Sequence, residues 1–130
     1  RLSMWWDALA PHNGGTVSFY TDNQGFAEVC FNQVPEFSTT GANSFLCQMT
    51  TAGAILMDFG PMSALDGLTG VSPGNNLDPT GTPINISIAN NVITPGAAAY
   101  ELFTTTSPND LTGFQMTWIL DSSGNPILQL

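Results

Sequence analysis

The sequence predicts an all-β fold, an antiparallel β-sandwich or jelly roll of about eight strands with one long Gly/Pro-rich loop. Runs rich in Val, Ile, Thr and aromatic residues recur along the chain, and Gly and Pro punctuate them at short spacing. No stretch carries an amphipathic pattern long enough for a three-turn helix, so a doubly wound α/β fold does not fit.

At the start of the chain Trp5 and Trp6 are adjacent, which in a strand sends them to opposite faces. Pro11-His12-Asn13-Gly14-Gly15 reads as a turn into a first hairpin. That hairpin runs from Thr16 to Thr21, turns at Asp22-Asn23-Gln24-Gly25 and returns from Phe26 to Phe31. In its second arm Ala27, Val29 and Phe31 share one face and Phe26, Glu28 and Cys30 the other. Further strands are expected over Ser44 to Thr50, Ala54 to Phe59, Ile84 to Ile93 and Ala98 to Thr106; Ile84, Ile86 and Ile88 alternate strictly. A second hairpin closes the chain, Gln115 to Leu120 against Pro126 to Leu130 across Asp121 to Asn125, with Trp118 assigned to the core.

Gly60 to Pro83 is the main irregular segment, holding five Gly and four Pro in 24 residues. Loops of this length are uncommon in compact folds and are often functional. Within it Pro61 to Leu68 could form one or two helical turns with Met62, Leu65 and Leu68 on a common face, and the segment is either a tethered cover over one end of the sandwich or a surface that contacts a partner.

The chain's 130 residues suit one domain, residues 1–130, and with Arg rather than Met at position 1 it is expected to be a fragment of a larger chain or assembly. Hydrophobic residues make up 42%, enough for a core, and no apolar run is long enough for a membrane span. One Lys or Arg stands against ten Asp and Glu, a formal net charge of -9. Nucleic-acid binding, which rests on clustered cations, is excluded on that ground. The surface must be built from Thr, Ser, Asn, Gln and Gly.

Catalytic signatures are absent. His12 is the only histidine, no G-x-S-x-G turn occurs, and Asp58-Phe59-Gly60 lacks the partner motifs that give this tripeptide meaning in a kinase. Glu28, Glu36 and Glu101 are the carboxylates a small secreted hydrolase would use, but their spacing selects no pair. No cofactor is implied except calcium, for which Asp22, Asp78 and Asp121 are the candidate oxygen ligands. Asp and Asn also favour turns for their own backbone hydrogen bonds, and that is the expectation here. Cys30 and Cys47 are either two separate thiols or a disulfide closing a loop of about 17 residues, and periodicity leaves both open. The triplet Asn85-Ile86-Ser87 is a glycosylation sequon.

The function expected from these features is non-enzymatic: a structural and recognition module of an extracellular or virion-surface assembly, such as a capsid protruding domain or an appendage subunit. Its partners would be further copies or other subunits of the same assembly. The alternative is a carbohydrate-binding module that stacks a glycan receptor on Trp5 or Trp6, Tyr20 and Tyr100.

Overall fold

In the computed structural model, residues 1–72, 81–89, 92–93, 98–122 and 126–130 are described. Among them eleven strands form two sheets, and the one helix is a single 3-10 turn at Pro11–Asn13. The strands are β1 (Leu2–Trp6), β2 (Thr16–Thr21), β3 (Phe26–Val34), β4 (Asn43–Thr50), β5 (Ile55–Met62), β6 (Gly67–Val71), β7 (Thr82–Pro83), β8 (Val92–Ile93), β9 (Ala99–Phe103), β10 (Gln115–Leu120) and β11 (Pro126–Gln129). The small sheet runs β1-β6-β9-β7 and the large one β2-β3-β4-β5-β10-β11-β8. Every pairing is antiparallel except that of the two-residue β7 with β9. No helix of the described residues is long and apolar enough to cross a membrane.

Both expected hairpins form. Asp22 Oδ1 accepts the N–H groups of Gln24 and Phe26 at 2.8 and 3.0 Å, which shapes the β2–β3 turn. The terminal hairpin pairs Leu120 with Pro126 and Trp118 with Leu128, and its turn at 123–125 lies outside the described residues.

Directly paired residues share a face, so the ladders define the core surface of the large sheet as three rows. One runs Val17, Phe31, Phe45, Phe59; the next Phe19, Val29, Cys47, Met57, Met116; the third Thr21, Ala27, Met49, Ile55, Trp118, Leu128. From β4 onward these rows are largely buried, and they form one hydrophobic cluster with Trp5, Val71, Ala99 and Phe103 of the small sheet. The opposite face mixes apolar and polar side chains and carries no lysine: Leu46, Leu56, Ile119 and Ile127 lie there with Gln48, which donates to Glu28 at 2.8 Å, and Gln115, which donates to Asp58 at 3.3 Å.

Two expectations fail. Pro61 to Leu68 is not helical, because β5 continues through Pro61–Met62 and β6 begins at Gly67. β10 pairs with β5 only as far as Asp58, so the missing N–H of Pro61 breaks no ladder there. The buried Asn43 then holds the chain extended: its Oδ1 accepts from Ser63 N at 2.9 Å and Ala64 N at 2.8 Å, and its Nδ2 donates to Val34 O at 3.1 Å. The long loop is accordingly shorter than expected, and the part at 73–80 lies outside the described residues.

Ile84 to Ile93 is not one strand either. The chain turns at 86–88, with Ala89 N donating to Asn85 O at 3.0 Å and Ser87 Oγ to Asn85 Oδ1 at 2.7 Å. Short polar side chains that bond locally compete with strand pairing. Ile86 is fully buried and Ile88 is 78% exposed, so the alternation did not mark a shared face.

The cysteines, which the sequence leaves open between thiols and a disulfide, are free thiols. Val29 pairs with Cys47 and Cys30 with Leu46, so the two cysteines point to opposite faces of the large sheet, where no disulfide can join them.

The sheets meet around Trp5. Its indole stacks on Phe103 at 5.4 Å and meets Phe59 of the large sheet edge-on at 6.5 Å. Gly67 is the floor of this seat, since a Cβ there would stand 2.6 Å from the indole and its φ is +154°. Gly67→Ala is expected to destabilise the chain by about 1–3 kcal/mol through overpacking, read as a lower urea midpoint at unchanged slope.

Candidate functional site

The small sheet does not reach across the large one. β1 is its edge strand, and the cleft beside β1, about 570 Å³ in volume, is lined by Leu2, Met4, Trp6, Leu68 and Tyr100 of the small sheet and by Phe31 and Phe45 of the large one. The inner face of the large sheet continues past this cleft onto β3 and β2. There Val17 is 44% and Phe19 66% exposed, although both lie in the core rows. The alternation that sends them inward is legible in the sequence; the shortfall in width that leaves them uncovered is not.

A β-bulge sets the wall. Ser3 pairs with Gly70 and Trp6 with Leu68, so β1 spends one more residue than β6 between the two positions. Both Met4 and Trp5 therefore pack on the core while Trp6 turns outward at 76% exposure.

Beyond Trp6 the chain crosses from the small sheet to the end of β3. Leu9 bridges Glu36, Ala10 N donates to Pro35 O at 2.8 Å and Phe37 N to Ala8 O at 2.6 Å. The crossing brings Asp7 onto Glu36. Asp7 Oδ1 accepts the Ala8 N–H at 2.6 Å, while its Oδ2 is buried with no N–H donor reaching it from the described residues. The Glu36 carboxyl is pushed up to about 7, first by burial, then by its hydrogen bond to Asp7 and the charges of Asp7 and Asp66. Asp7 and Asp66 also line a shallow cleft with Trp6, Gly67, Leu68 and Leu102, about 750 Å³ in volume. The apolar groove along β1 thus ends in an acidic corner without a cation.

Of the residues expected to bind, Trp5, Trp6 and Tyr100 line the one cleft beside β1, while Tyr20, Met62 and Leu65 lie apart from it. Trp5 is 7% exposed and belongs to the core, so it offers no face to a sugar. Trp6 stands at the acidic corner, and the half-buried Tyr100 lines the groove from β9. Tyr20 is exposed on the far face of the hairpin, 6.1 Å from the Phe26 ring. Met62 packs onto the core at the end of β5, and Leu65 is exposed in the segment after it.

The carboxylates are dispersed. Glu28 is held by Gln48, Glu36 by Asp7, and Glu101 accepts the Ile86 N–H at 2.7 Å. Burial raises the Glu101 carboxyl and that N–H opposes the rise. For calcium, Asp22 is engaged by two turn amides that lower its carboxyl, Asp121 follows β10, and Asp78 lies outside the described residues. No group of three His, Cys, Asp or Glu among the described residues is arranged to hold a metal ion. His12 lies in the exposed 3-10 turn.

The folded chain holds the Glu36 proton more tightly than the unfolded chain, whose glutamate titrates near 4.5. Its stabilisation is complete below that value and is lost as pH rises through about 7. The melting temperature is expected to fall by a few degrees from about pH 5 to about pH 8, and Glu36→Gln should flatten most of that slope in a calorimetric series. The cysteines give a second check. Burial pushes the Cys47 thiol up to about 11, whereas Cys30 is part-exposed on the other face. Iodoacetamide should label Cys30 in the native chain and reach Cys47 only on unfolding.

Comparison with protein families, with curated proteins and with solved structures found no match for this chain.

Proposed function

We propose that the chain is a single β-sandwich domain, non-enzymatic, that recognises another protein subunit within an extracellular or virion-surface assembly. The observation that carries this reading is the pair Val17 and Phe19, core-row side chains left in solvent on the edge strand β2. An apolar edge strand invites pairing with other chains, and folded proteins that stay alone blunt such edges with lysine or proline. Between Thr16 and Thr21 there is neither. The sandwich description is supported by the shared cluster that joins Trp5 and Phe103 of one sheet to Phe59, Met57 and Trp118 of the other. With the cysteines unpaired, the extracellular placement is supported by the charge-poor surface and by the exposed sequon residue Asn85.

A second reading, a carbohydrate-binding module, is favoured by one arrangement: the exposed Trp6 beside Asp7 and Asp66 in an open cleft. Indole faces stack on sugar rings and carboxylates bond hydroxyls.

The two readings part cleanly. A photo-crosslinking residue placed at Phe19 should form an adduct with another protein chain in the native assembly, while the same probe at the exposed Gln129 should not. Phe19→Asp should abolish that association and change stability by no more than about 0.5 kcal/mol. If Phe19 yields no protein adduct and a glycan array instead shows binding lost with Trp6→Ala, the recognition reading gives way to the carbohydrate one.

A further inference from the structure

We infer that the groove beside β1 receives an extended segment of a different protein chain, which adds a strand to the free edge of β1. Its alternate apolar side chains would lie on Val17, Phe19, Val29 and Phe31, and a Lys or Arg at one end would meet the carboxylates of Asp7, Glu36 and Asp66. The inference rests on the recognition reading above and specifies the partner.

β1 bonds to β6 along one edge, and among the described residues no strand pairs with its other edge. A strand laid there would run alongside β1 and over the inner face of β3 and β2, where the apolar rows continue half-buried at Val29 and Phe31 and exposed at Val17 and Phe19. Neighbouring strands sit about 4.8 Å apart, so one added strand reaches beyond the wall of the cleft toward β2. Main-chain hydrogen bonds to β1 would supply affinity, and the alternate side chains that face the shelf would supply selectivity.

Charge decides between a foreign segment and a second copy. The corner at the Trp6 end brings Asp7, Glu36 and Asp66 together, and Asp7 Oδ2 is buried there with no donor among the described residues. A second copy would bring a net charge of -9 and a single Lys or Arg, which stands at position 1, at the opposite end of the groove. Like charge across an interface disfavours the pairing. A segment with a basic end supplies the missing cation and favours the ionised Glu36, so its binding should strengthen as pH rises through about 7. Asp7, Glu36 and Asp66 are the charged groups at this corner.

The test is selection of random peptides displayed on phage against the immobilised chain, followed by fluorescence anisotropy with one selected peptide and hydrogen exchange of the complex. Selected sequences should alternate apolar and polar residues and carry Lys or Arg at one end. Phe19→Asp should weaken binding about tenfold or more, as loss of a buried anchor does. Asp66→Asn should weaken it severalfold and remove part of its salt dependence. Amides of Leu2 to Trp6 should gain protection, and a proline at the centre of the peptide should abolish binding by removing a ladder donor.

Peptides without alternation, binding indifferent to Phe19→Asp, or an unprotected β1 would overturn the inference. So would a dimer of the chain alone that Phe19→Asp converts to monomer, which assigns the groove to a second copy. A protein adduct at Phe19 with β1 unprotected sinks strand addition and leaves the recognition reading standing. No adduct and no Phe19-dependent peptide removes both.

Discussion

Trp5 is the contact on which the site depends. Its indole is the one aromatic ring of the small sheet that both stacks within that sheet, on Phe103, and meets a ring of the large sheet, Phe59. Such ring pairs contribute about 0.5–1.5 kcal/mol each beyond burial. They offset a cost, because the indole N–H is buried with no acceptor among the described residues. Seating the ring against Gly67 requires the bulge in β1, and the bulge is what turns Trp6 outward and starts the chain toward β3 at Asp7. Groove wall, exposed indole and acidic corner are therefore three consequences of one packed side chain.

The near absence of cations imposes a second constraint. A protein with ten carboxylates and one Lys or Arg cannot neutralise them by ion pairing, so each must find another answer. Asp22 and Glu101 take backbone N–H groups; Glu28 and Asp58 take the amides of Gln48 and Gln115. The same economy appears in the core, where the buried polar residue Asn43 uses its whole amide to bind the ends of β3, β4 and β5. Among the described residues Asp7 and Glu36 face each other instead, and burial with the charges of Asp7 and Asp66 pushes the Glu36 carboxyl up. Asp7 Oδ2 stays buried without a donor among the described residues, and perturbed carboxyl groups in a cleft are where binding chemistry is found.

The hairpins were legible because their signals are local. A turn such as Asp22-Asn23-Gln24-Gly25 carries its own hydrogen-bonding side chain and its own glycine, and the flanking alternation sets the register. Ile84 to Ile93 misled because alternation reports a strand only where a neighbour accepts its ladder; Asn85 and Ser87 offered the backbone local bonds instead. Pro61 misled in the opposite direction, since a proline tolerated beyond the end of β10 looks in sequence like a helix start. The cysteines differ by a single step of register between β3 and β4, too fine a distinction for composition to resolve. Asp7 and Glu36 stand 29 residues apart and meet only because the chain crosses between sheets at Leu9. No periodicity anticipates that meeting.

The unequal width of the sheets bears on energetics as well as recognition. Burying a Val or Phe side chain fully contributes about 1.5–3 kcal/mol, and Val17 and Phe19 forgo much of it in the isolated chain. A protein that folds by a margin of only about 5–15 kcal/mol rarely leaves that much apolar surface adjoining its core uncovered without use. The remaining members of the same rows, from β4 to β11, are packed, so the exposure does not come from a poor hydrophobic pattern. It comes from the small sheet ending at β1 while the large sheet continues. Covering Val17 from within would require another strand beside β1, and Trp5 fixes that edge where it is. The apolar shelf and the open edge are thus one feature, and a bound strand would satisfy both at once: backbone groups on β1, side chains on β2 and β3.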